Sequence, residues 1–81
     1  MNASKWALLK ISDGDRGATG KQKVYEVRVE GSKVVLEWGM AEKATRQSKI
    51  EFYGSEAAAR QAATNKVWDK VATGYRIAYS V

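Results

Sequence analysis

The chain has 81 residues, 44% of them hydrophobic and 28% charged, and it contains neither cysteine nor histidine. Length and composition fit one globular domain and exclude wholesale disorder, while the missing residue types exclude disulfides, the usual zinc sites, the Cys–His dyad and the Ser–His–Asp triad. The formal net charge of +5 and the pI near 9.6 suit nucleic-acid binding, and they suit equally a small domain charged for solubility.

Residues 5–11 form a short apolar stretch that predicts a strand, with Ala7, Leu9 and Ile11 on one face. Residues 12–22 hold three glycines and two aspartates and predict a loop. Period-two alternation follows: Tyr25, Val27 and Val29 face one way, and Glu26, Arg28 and Glu30 the other. Gly31-Ser32 suits a two-residue type II′ turn, and residues 33–38 return as the partner strand with Val34, Leu36 and Trp38 on one face. Residues 39–48 lack a period and read as a loop. A further strand over 49–53 is expected to turn Ile50 and Phe52 inward.

Ser55 is a good N-cap, its hydroxyl free to accept from an amide of the first turn. Glu56 and Lys70 complement the two ends of the helix dipole. Ala59, Ala63, Val67 and Val71 recur every four residues as a core stripe, broadened by Ala62, and Gly74 is a natural residue just past the helix end. Tyr75, Ile77 and Tyr79 alternate as a last strand. The fold class expected is therefore α+β, a single domain over residues 1–81 in which an antiparallel sheet of four to five strands carries one helix on one face.

Chemistry is sparse. Asp13 and Asp15 sit in a glycine loop and read as turn formers, so no metal site and no cofactor are expected. The stretch from Asp15 to Gln22 fails the phosphate-loop pattern at both ends, and no helix signal follows it. No standard catalytic constellation can be assembled, and a non-enzyme is expected. No run of about 18 apolar residues is present, and the apolar stretch near the start is too short for a signal-peptide core. A monomer in the reducing cytoplasm, open to nucleoid association, is the expectation.

Lys23-Val24-Tyr25-Glu26-Val27, Glu37-Trp38-Gly39-Met40, Ser48-Lys49-Ile50-Glu51-Phe52, the helix positions Ser55, Ala59, Ala63, Val67 and Lys70, and the closing Gly74-Tyr75 together resemble a WGR domain. The family takes its name from Trp-Gly-Arg and occurs in poly(ADP-ribose) polymerases and as stand-alone bacterial proteins. The resemblance spans residues 5–79 and implies an antiparallel sheet with one helix. In the DNA-break-sensing polymerases the signature Trp packs on the nucleotide at the break, a role the resemblance passes to Trp38. Met40 stands where the family carries Arg, so the charged relay of that position is not inherited.

Trp38 reads either as a core tryptophan or as a ring that stacks on a base, with Gly39 allowing close backbone approach. Lys43, Arg46 and Lys49 follow it as a basic loop, which Arg28, Lys21 and Lys23 could extend. Trp6 and Trp68 read as covers for sheet edges, and Tyr25 and Tyr75 as core. Two functions remain open. One is a nucleic-acid-binding module, with DNA ends favoured, that uses Trp38, Gly39, Lys43, Arg46, Lys49 and Arg28. The other is a protein-interaction module that keeps the fold without DNA, with Met40 as its contact.

Overall fold

The computed structural model describes residues 4–12, 21–42 and 45–81, with backbone only at 11, 12 and 21. The expected loop over 12–22, with Asp13 and Asp15, and Lys43 of the basic loop lie outside the described residues, apart from the strand ends at Ser12, Lys21 and Gln22. Five strands and one helix follow in the order β1 (Lys5–Ser12), β2 (Lys21–Glu30), β3 (Lys33–Met40), β4 (Gln47–Phe52), α1 (Glu56–Ala72) and β5 (Arg76–Ser80). They form one antiparallel sheet ordered β4-β3-β2-β1-β5. The architecture is α+β.

The hairpin closes as its sequence dictates. Gly31 has φ 61°, and no other residue type among those described has positive φ, which fits a type II′ turn. The turn pairs Glu30 with Lys33, and every later pair follows from it, down to Lys23 opposite Met40. The Ser55 hydroxyl accepts from the Ala58 N–H at 3.1 Å and starts the helix. Gly74, at φ 108°, ends it, and its N–H donates to the Val71 carbonyl.

Helix α1 lies across β2 and β3. Its buried residues Ala59, Ala63 and Val67 meet Leu8, Tyr25, Val27, Val29, Val34 and Leu36. Small alanines let the helix approach the sheet closely, and the branched strand residues fill the space between. Val71 is half-buried at the end of the expected stripe. In β1 the core residue is Leu8. Ala7 and Leu9 do share a face, but it is the one turned away from the helix, and the side chain of Ile11 lies outside the described residues. Trp6 packs against the core from the helix side, whereas Trp68 is 59% exposed on the helix surface.

β4 departs from expectation. Its pairing sets Ile50 opposite Val35 and Phe52 opposite Lys33, on the face without the helix, so Ile50 is 48% and Phe52 76% exposed. The apolar residues of this edge strand point away from the core because its register with β3 sets Lys49 opposite Leu36 and Glu51 opposite Val34 on the helix side. Expected boundaries also shift: β3 continues through Met40 and β4 begins at Gln47, which shortens the expected 39–48 loop.

The two ends of the described chain meet at one corner. Ser4 and Lys5 N–H groups both donate to the Val81 carbonyl, at 2.6 and 3.0 Å, and Val81 N–H donates back to Lys5. Among the described residues no helix is long and apolar enough to cross a membrane.

Candidate nucleic-acid interface

The two-residue turn fixes Trp38 as the partner of Tyr25, on the face that carries the helix. The two rings stack with centroids 5.8 Å apart and planes at 18°. Tyr25 in turn meets Tyr75 edge-on at 5.9 Å and 66°. Three aromatic rings thus form a row across the sheet beside the last turn of the helix, each contact in a favoured geometry. Trp38 is half-buried against the core, and Tyr25 occupies one of its ring faces. Burial pushes the Tyr25 hydroxyl up from its ordinary pKa, with Glu51 and Tyr75 adding to the effect. Burial alone pushes Tyr75 up. Both rings therefore stay neutral across the physiological range.

Lysines border this row. The Lys70 ammonium stands 4.6 Å from the Tyr25 ring centroid, and the Lys10 ammonium 5.6 Å from that of Tyr75. Lys10 also donates to the Thr73 carbonyl at 2.8 Å, which ties it to the negative end of the helix. Lys23 is exposed on the same face, two residues before Tyr25 and opposite the half-buried Met40. Among the described residues none of Lys10, Lys23 and Lys70 forms an ion pair with a carboxylate. At the same end of the sheet a shallow hollow of about 360 Å³ is lined by Leu9, Lys10, Gln22, Gly74 and Arg76.

Of the six residues expected from the sequence, the five that lie among the described residues are not gathered in one place. Trp38 and Lys49 lie on the helix side. Lys49 is paired with Glu51 at 3.4 Å, and Lys66 of the helix reaches the same carboxylate at 3.5 Å. Arg28, Gly39 and Arg46 belong to the opposite face. There Glu26 receives Arg28 at 3.4 Å, Arg46 at 3.4 Å and Lys5 at 3.8 Å. Arg28 also reaches Glu30 at 3.2 Å and Glu37 at 3.5 Å. Burial opposes the charge on Arg28, and its hydrogen bonds to Glu30 and Glu37 outweigh that, so its pKa lies above the ordinary value. Gly39 allows a close approach of the chain: a Cβ there would stand 3.3 Å from the Thr45 carbonyl oxygen and 3.4 Å from Arg46 Cγ. The chain entering β4 runs close over Gly39, and the Arg46 guanidinium there reaches Glu26 at 3.4 Å.

Sequence reasoning missed Lys10, Lys70, Tyr25 and Tyr75 as a group around Trp38. A usable signal was present, because a two-residue turn at Gly31-Ser32 already makes Tyr25 the partner of Trp38. Among the described residues no cluster of three His, Cys, Asp or Glu could hold a metal. No family model matches the chain, nor does any curated protein or solved structure.

Proposed function

We propose that this chain is a non-catalytic nucleic-acid-binding module, and that it uses the aromatic row at the helix end rather than the opposite face of the sheet. The observation that carries this reading is the row Trp38–Tyr25–Tyr75 bordered by lysines that no described carboxylate neutralises. Aromatic rings beside unpaired cations are what single strands and DNA ends call for: a base stacks while phosphates find counter-charge. Trp38 has one ring face engaged by Tyr25, so it can offer at most one face to one base. Lys10 is tied to Thr73, which leaves Lys23 and Lys70 as the freer phosphate contacts. Arg28, Arg46 and Lys5 on the opposite face are shared with Glu26, Glu30 and Glu37, and a phosphate beside them would have to displace a carboxylate. The WGR resemblance supports the same reading through Trp38, with DNA breaks as the ligand it implies.

A second reading has its own observation. Phe52 and Ile50 are exposed apolar residues on the face without the helix, where a protein partner would find contact area that a phosphate would not use.

The experiment is fluorescence anisotropy with nicked, blunt, single-stranded and RNA ligands over a range of salt. Each phosphate contact to a duplex contributes about 0.9 to the slope of log affinity against log salt. A Lys23→Gln/Lys70→Gln double variant should flatten that slope by about 2. A Lys43→Gln/Arg46→Gln/Lys49→Gln variant should change it less. The reverse ranking would move the contact to the basic loop. Absence of salt-dependent binding to any of the four ligands would end the nucleic-acid reading and leave the protein-partner one.

A further inference from the structure

β4 is an edge of the sheet. β3 pairs with its inner side, and no described strand pairs with its outer side. The Tyr53 N–H donates to the Ser32 carbonyl at 2.9 Å, toward the β3 side. Backbone groups alternate along an antiparallel strand. Gln47, Lys49 and Glu51 therefore direct theirs to β3, and Ser48, Ile50 and Phe52 direct theirs outward. Exposed edges pair with other strands unless proline, a bulge or inward-pointing charge blocks them. This chain has no proline, the β3–β4 register is unbroken, and the two charges that β4 turns toward the helix side, Lys49 and Glu51, are of opposite sign and paired at 3.4 Å, so they leave no uncompensated charge on the edge.

We propose that the outer edge of β4 pairs with β4 of a second copy of the chain, antiparallel, about a two-fold axis through Ile50 perpendicular to the sheet. This symmetry keeps both helices on one side and makes one sheet of ten strands. The charges choose the register. Centred on Lys49, the pairing would set Lys49 against Lys49 of the second copy. Centred on Glu51, it would set Glu51 against its own copy. Centred on Ile50, it sets Lys49 against Glu51 of the second copy and Glu51 against the second copy's Lys49. Directly opposed like charges destabilise a pair of strands and opposite charges stabilise it. Ile50 also directs its N–H and C=O outward, so two copies exchange both backbone hydrogen bonds at the axis. Ile50 then meets Ile50, and Phe52 lies across from Ser48, which covers part of the apolar surface left exposed on this strand. A six-residue edge falls short of the roughly 1,200 Å² of stable interfaces, so the dimer is weak and concentration-dependent. It replaces the monomer expected from the sequence and does not depend on nucleic-acid binding.

Because the chain has no cysteine, single cysteines report the register directly. A hydrogen-bonded pair places its Cα atoms about 5.5 Å apart, within the range of about 4.4–6.8 Å that a disulfide accepts. Ile50→Cys should therefore oxidise to a covalent dimer at least about tenfold faster than Ser48→Cys or Phe52→Cys, whose own copies would stand about 14 Å apart along the strands. An equimolar mixture of the last two should yield the mixed dimer. By sedimentation equilibrium at several hundred micromolar, the wild-type mass should rise toward two chains. Ile50→Pro removes an outward N–H that β3 does not use, so it should keep the wild-type circular dichroism and sediment as one chain. Equal oxidation rates for the three single cysteines, or a wild type that sediments as one chain throughout, would overturn the proposal.

Discussion

Trp38→Ala is the sharpest probe of the aromatic row, because the ring serves stability and the proposed binding at once. Truncating a fully buried tryptophan costs about 3–5 kcal/mol. Trp38 is only half-buried, so the loss should be about 2–3 kcal/mol, of which the stack on Tyr25 accounts for about 0.5–1.5 kcal/mol. At roughly 0.05–0.15 kcal/mol per residue, an 81-residue domain holds about 4–12 kcal/mol in total, and the variant should stay folded. Loss of one stacked base should cost a further 1–3 kcal/mol of binding, roughly 5- to 150-fold in affinity. Urea unfolding and anisotropy titration on the same sample separate the two losses. A folded variant that binds every ligand as tightly as wild type would refute stacking by Trp38. A stability loss above about 5 kcal/mol would show instead that the ring is a core element in full.

Met40→Arg adds a cation opposite Lys23 and should steepen the salt slope by about 1 in duplex binding, with the largest gain at low salt; an unchanged slope would place the ligand away from this end. Glu51 is held below its ordinary carboxylate pKa, first by the Tyr53 hydroxyl donating at 2.8 Å and then, against some burial, by Lys66 and Lys49. A depressed pKa means stability that is present above the ordinary carboxylate value and lost as pH falls through the folded one. Glu51→Gln should therefore lower the urea midpoint at neutral pH and match wild type in strong acid, and a pH-independent gap would contradict this. Gly74→Ala forces a side chain into φ 108° with its Cβ 3.3 Å from Lys10 Cε, and should cost about 1–2 kcal/mol of stability by urea unfolding; no loss would mean that the helix end does not need this conformation.

The elements were legible where local chemistry decides them. Gly31 set the turn, alternation set the faces of β2 and β3, and Ser55 and Gly74 bracketed the helix. β4 shows the limit of such reading. Its alternation was visible, but which face meets the core is set by its register with β3, where Lys49 falls opposite Leu36, and the residues of β4 do not specify that register. The candidate site failed to gather for a similar reason. Trp38, Arg46 and Lys49 are close in the chain, yet strand parity and the close approach at Gly39 put them on two faces. Lys10 and Lys70, remote in sequence, arrive beside the same rings because β1 and the helix end converge there. Ion pairing also escapes a sequence reading: Arg28 looked like a free cation until Glu26, Glu30 and Glu37 were found around it.

The junction of Ser4 and Lys5 with Val81 bears on how this fold could be rewired. The described ends are separated by a hydrogen bond, so a short peptide could join them and new ends could be cut elsewhere. The Gly31-Ser32 turn is a poor place for the cut, since it sets the pairing of β2 with β3. The connection between β3 and β4 is a better one, because β4 would keep its place through the ladder alone. By the same geometry the whole unit could be spliced into a surface loop of a host protein, entering and leaving at one corner without stretching the host's chain.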